Sequence, residues 1–137
     1  MKAHLKKIHL LIGLLGVVIF LLTGQYMNHF IHAAMEQSDR LRFSTRANHI
    51  YILMSALLNL ALGSYLRVSA GRWRARLQMV ASSLIILALV TLIGAFFYEP
   101  KDSIDRPFTT WAMIANLTGA ALHALSALKS ETSNESR

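Results

Sequence analysis

This sequence predicts an all-α fold: a four-helix transmembrane bundle with both termini in the cytoplasm. Three observations predict it. Of 137 residues, 54% are hydrophobic and only 15% charged, well below the quarter usual in soluble domains. The charges are missing in blocks: 28 uncharged residues lie between Lys7 and Glu36, 20 between Arg46 and Arg67, 22 between Arg76 and Glu99, and 22 between Arg106 and Lys129. About 20 helical residues cross a hydrocarbon core roughly 30 Å thick, so each interval can span it. The third observation is sidedness. Lys2, Lys6, Lys7, Arg67, Arg72, Arg74, Arg76, Lys129 and Arg137 fall on one side of the four intervals, and only Arg40, Arg42, Arg46, Lys101 and Arg106 on the other. Cytoplasmic loops carry the excess of Lys and Arg, which puts both termini and the 67–76 turn inside the cell. The expectation is a multi-pass protein of a bacterial inner membrane.

The first helix is expected near 8–32. Its lysines and the run IHLLIGLLGVVIFLL resemble a signal peptide. The nearest small-residue site, Ala33-Ala34, lies too far past Leu22 for usual cleavage, so the segment is expected to be retained. Gly13, Gly16 and Gly24 mark its packing face, because helices in lipid associate by close approach at small residues and by interhelical hydrogen bonds. The segment ends in GQYMNHFIH, dense in hydrogen-bonding groups. Residues 33–45 follow as an outer loop, with MEQSDRLRF able to lie along the interface.

The second helix, near 47–67, places Asn48, Tyr51, Ser55 and Asn59 at i, i+3 or i+4 steps on one face. GRWRARL at 71–77 reads as a basic turn with an interfacial Trp. The third helix, near 76–98, offers Ser83 and Thr91 as its inward polar face, with Leu87 between them. Pro100 and Pro107 punctuate the next loop. The fourth helix, near 107–128, carries Thr109, Asn116 and His123 at heptad spacing together with Ala115-x-x-x-Gly119. Residues 1–128 make one membrane domain, and the polar tail 129–137 is expected to be disordered.

Composition also excludes functions. The net charge of +7 comes from helix ends, where it sets topology, so nucleic acid is not implied. The absence of cysteine removes disulfides, thiolate metal sites and Cys nucleophiles. No nucleophile-and-base set stands out, and no carboxylate lies inside an interval, as a proton-coupled transporter would place one. Binding or assembly is expected rather than catalysis, with the lipid bilayer and a membrane-protein partner or second copy as the partners.

Candidate ligands gather at the outer boundary. His29 and His49, on neighbouring helices at similar depth, could ligate haem b from opposite sides. His29, His32 and His49 could supply three nitrogens to a metal. Gln25, Tyr26, His49 and Tyr51 with Arg42 or Arg46 could bind a quinone or a lipid headgroup. His9 and His123 sit near the inner boundary, with His123 about four residues deeper, roughly 6 Å. Against all of these stands plain architecture, in which polar residues end helices and bond between them. LLTGQYMNHF (21–30) and RFSTRANHIYILMSALLNLALGSYL (42–66) resemble small four-span bacterial inner-membrane proteins of uncharacterised function. The shared elements are GQYM with a nearby histidine and Arg-x-x-His-Ile-Tyr opening helix two. That resemblance implies no activity, and it marks the outer cluster as the candidate site.

Overall fold

The computed structural model describes residues 2–66, 71–100 and 105–131, and among them every regular element is helical. Helix α1 (Lys2–Tyr26) continues through a π-helical turn (Met27–Ile31) into α2 (His32–Gln37), and α3 is Asp39–Tyr65, α4 Arg72–Tyr98 and α5 Pro107–Glu131. Three of these rods, His4–Gln37, Asp39–Tyr65 and Arg72–Tyr98, are long and apolar enough to cross a membrane. Helix α5 is close to them in length and carries Thr109, Thr110, Asn116, Thr118 and His123 among its apolar residues.

The outer connection is shorter than expected. Residues 33–45 are helical except at Ser38, whose extended backbone (φ −138°, ψ 111°) breaks the rod. Its hydroxyl accepts from Leu41 N–H at 3.2 Å and its carbonyl from Arg42 N–H at 3.0 Å. A serine N-cap followed by Asp39 in the first turn restarts the helix at once, so the charged MEQSDRLRF stretch is absorbed into α2 and α3. Gly71 precedes α4 in the same extended geometry, and GRWRARL opens α4 rather than forming a loop. Pro107 begins α5, the position where its missing N–H costs nothing. The remainder of the 67–76 turn, residues 101–104 and the tail beyond 131 lie outside the described residues.

The helices pair antiparallel, α1 with α3 and α4 with α5, and the two pairs meet chiefly along α3 and α4. Nowhere among the described residues do α1 and α5 bring Cα atoms within 8 Å of each other. The α1–α3 approach is closest where Gly13 meets Leu60 and Gly63 meets Leu10. Gly119 of α5 lies against Ala81 and Ile85 of α4. Phe96, Ile52, Leu89 and Leu92 fill the centre. The surface is inverted relative to a soluble protein. Leu11, Leu14, Leu15, Leu21 and Leu22, Val90 and Leu117 are exposed, while His9, Asn48, Asn59, Asn116 and Glu99 are buried. Exposed Tyr65 and Trp73 mark one end of the rods, and Phe43, Tyr98, Phe108 and Trp111 the other, as the aromatic belts of membrane helices do.

One inward face differs from the sequence reading. Helix α4 turns Gln78, Ala81, Ser82, Ile85, Ala88 and Leu89 inward, leaving Ser83 and Leu87 exposed. Alanine at 81, 88 and 95 lets α4 approach its neighbours, and the inward serine is the one that reaches a histidine of α5.

Candidate functional site

Buried polar side chains form layers along the α3–α4 seam. At the outer end, Glu99 follows the last residue of α4 and reaches across to the start of α5. Its Oε1 accepts from Phe108 N–H at 2.8 Å and Thr109 N–H at 3.3 Å, and its Oε2 from the Thr109 hydroxyl. A carboxylate on a helix N-terminus satisfies donors that lack partners within the helix. Arg106 Nε lies 3.5 Å from Oε2, while its other nitrogens donate to Ser44 O at 3.1 Å and Thr109 Oγ1 at 3.2 Å. With its amide oxygen turned to them, Asn48 accepts from Phe96 N–H at 3.0 Å and Arg106 Nη2 at 3.3 Å. This cluster ties α3, α4 and α5 together. Its donors and acceptors are largely matched, with Arg106 Nε left to the ion pair alone, which marks it as a clamp.

One level down, Thr23 donates to Phe20 O at 2.9 Å, so its oxygen is left to accept from His49 Nδ1–H at 3.0 Å. Phe20 stacks on the His49 ring with centroids 4.0 Å apart. Gly24 lies beside the opposite edge of that ring.

The inner layer is different. Asn59 Nδ2 donates to Ser55 O at 2.9 Å, which turns its oxygen toward His9, and His9 Nδ1–H donates to it at 2.8 Å. The tautomer follows: a neutral His9 carries a bare lone pair on Nε2. That atom is buried without a hydrogen-bond partner. His123 Nε2 meets the Ser82 hydroxyl at 3.1 Å, and its Nδ1 is likewise buried and unpartnered. The two imidazoles approach across the gap between α1 and α5, centroids 6.5 Å apart and planes at 77°. Above them, Ser55 donates to Asn116 Oδ1 at 3.4 Å, and Asn116 Nδ2 has no partner. Buried polar groups are bonded in the great majority of cases, so two open imidazole nitrogens on neighbouring rings mark the layer as a candidate site.

The outer candidates are placed differently. His29 is exposed on the π-helical turn, and His32 is exposed within 3.5 Å of Glu36. His49, in contrast, is turned onto Phe20 and Thr23. Among the described residues no three or more His, Cys, Asp or Glu side chains form a group that could hold a metal ion. His29 lies on the π-helical turn, six residues beyond Thr23, the α1 residue that His49 bonds. The His29–His32–His49 trio therefore forms no such group among the described residues, and His29 and His49 have different surroundings, exposed in one case and packed on Phe20 in the other. Gln25 is exposed, and Tyr26 packs on Phe30 and Phe97, with centroids 5.4 and 5.8 Å away. Tyr51 and Arg46 do come together, lining an open groove with Asp39, Arg42 and Phe43.

The inner pair is visible in sequence as two histidines near one boundary, which the charge brackets place at unequal depth. Helix α1 begins at Lys2, ahead of that bracket. Lysines near a helix end can snorkel to the interface, so Lys7 does not fix the membrane edge. The helices and the layer define a class: a helical protein with an apolar exterior and a polar, incompletely bonded interior seam. No protein-family model, curated protein or solved structure matches the chain.

Proposed function

We propose that the chain is a four-span bundle of a bacterial inner membrane, with both termini cytoplasmic, and that it acts by binding or assembly rather than by catalysis. The observation that carries this reading is the inverted surface, apolar outside and polar along the seam, together with open nitrogens at the inner layer. Apolar exposure on this scale is unfavourable in water and natural in lipid. Helix α5 crosses beside α4 with its polar stripe of Thr109, Asn116 and His123 buried. The basic residues around the α3–α4 turn set the sidedness.

The test combines fractionation with topology. The chain is expected to stay in membranes washed with alkaline carbonate. Reporter fusions at residue 70 should read as cytoplasmic and those at residue 103 as periplasmic. Release by carbonate would remove the membrane reading, and a periplasmic signal at residue 70 would reverse the orientation. A second reading is favoured by the outer groove, in which Arg46 and Tyr51 are suited to a lipid or quinone headgroup at the interface.

A further inference from the structure

We propose that His9 Nε2 and His123 Nδ1 together bind one monovalent copper ion, held two-coordinate between neutral imidazoles. The proposal deepens, and rests on, the membrane-embedded binding role, for which it names the ligand.

Four observations converge. The bonding of Asn59 to Ser55 fixes its amide, and that amide fixes His9 with its lone pair on Nε2. His9 is 0% and His123 8% exposed, and the nitrogens concerned have no protein partner. The remaining nitrogen of each ring is anchored, by the Asn59 oxygen in one case and the Ser82 hydroxyl in the other. Ligand histidines are held by such outer bonds, which orient the ring and fix its tautomer. Separation is the fourth. A ring nitrogen lies about 1.1 Å from its centroid, so an ion bound at about 2.0–2.1 Å by two facing nitrogens sets the centroids roughly 6.3 Å apart. The observed 6.5 Å is close to that separation.

Ligand number selects the ion. Zinc takes four ligands, and calcium six or more, mostly oxygens. Among the described residues no group of three or more His, Cys, Asp or Glu is available. A filled d-shell monovalent copper ion is satisfied by two nitrogens in line. It also brings the smallest charge into a low-dielectric seam, where the cost of desolvating an ion is severe. Each bond is a lone-pair donation with no change of oxidation state, and His123 Nε2–H then donates to Ser82.

The experiment uses the full chain in mild detergent under reductant, with cuprous ion supplied in competition with a chromogenic chelator. One copper per chain is expected, and X-ray absorption should show two nitrogen neighbours. His9→Gln and His123→Gln should each weaken binding by at least 100-fold, and Ser82→Ala by about 10–100-fold, while His49→Gln changes nothing. Circular dichroism and elution volume verify that each variant is folded. Should a glutamine variant not fold, Ser82→Ala alone still decides. Membrane-embedded, helical protein that takes up no copper would overturn the copper site and leave the binding role standing. Equal binding by wild type and the His9 and His123 variants would overturn it too, as would zinc or haem uptake in place of copper. So would nitrogen NMR showing only a water bridging the two rings. Carbonate release of the chain would instead remove the underlying role.

Discussion

Glu99→Ala should destabilise the protein by about 3–5 kcal/mol, the range for removing one partner of a buried ion pair. The Glu99 side chain is 1% and that of Arg106 12% exposed. Deleting the carboxylate removes the Glu99 charge from beside the buried guanidinium and leaves it the neutral acceptors Ser44 O, Asn48 and Thr109 Oγ1. It also strips the first turn of α5 of the acceptor used by Phe108 N–H and Thr109 N–H. The two losses compound at one junction, the hinge between α4 and α5. Glu99→Gln should cost less, because its carbonyl can still accept from a backbone N–H. Adding Arg106→Met to Glu99→Ala should recover part of the loss, because no uncompensated charge then remains. Thermal unfolding in detergent, followed by circular dichroism, ranks the three. A loss under about 1 kcal/mol for Glu99→Ala would mean that the cluster is only decorative.

The same cluster shows where sequence reading stops. The four charge-free intervals located the helices, because the cost of an ion in hydrocarbon is large enough to be read from composition alone. The inward stripe Thr109, Asn116 and His123, and the faces of Asn48, Ser55 and Asn59, were legible from helical periodicity and are buried. Two things were not. Charges just outside an interval can still be buried, as Glu99 is, since its side chain reaches the first turn of the next helix and a span boundary says nothing about that. And the partner of a histidine depends on the rotation of each rod about its axis. His29 lies exposed on the π-helical turn, while His9 and His123 turn onto Asn59 and Ser82. The outer histidines stand out in the sequence because they fall at one boundary on neighbouring helices. The inner ones met because α1 and α5 face each other across a seam that no local pattern encodes.

That seam depends on the α1–α3 pair keeping its register, and glycine sets how closely the pair can approach. A Cβ at Gly63 would lie 2.6 Å from Leu10 Cγ and 2.7 Å from Leu10 N. The side-chain atom could move, but the backbone nitrogen can do so only if α1 shifts. Gly63→Ala should therefore cost about 3 kcal/mol, the upper part of the range for overpacking. Gly94→Ala has open space around its Cβ and should be neutral or stabilising by up to about 1 kcal/mol through helix propensity. The opposite signs of two chemically identical substitutions separate close packing from propensity. In lipid this contrast is sharpened, because packing rather than burial from water drives helix association. The displaced helix also carries His9, so Gly63→Ala should lengthen the His9–Asn59 bond and shift the His9 imidazole resonances in nitrogen NMR. Equal stability of the Gly63 and Gly94 variants would show that α1 and α3 do not meet at this register, and the tautomer assigned to His9 would lose its structural basis.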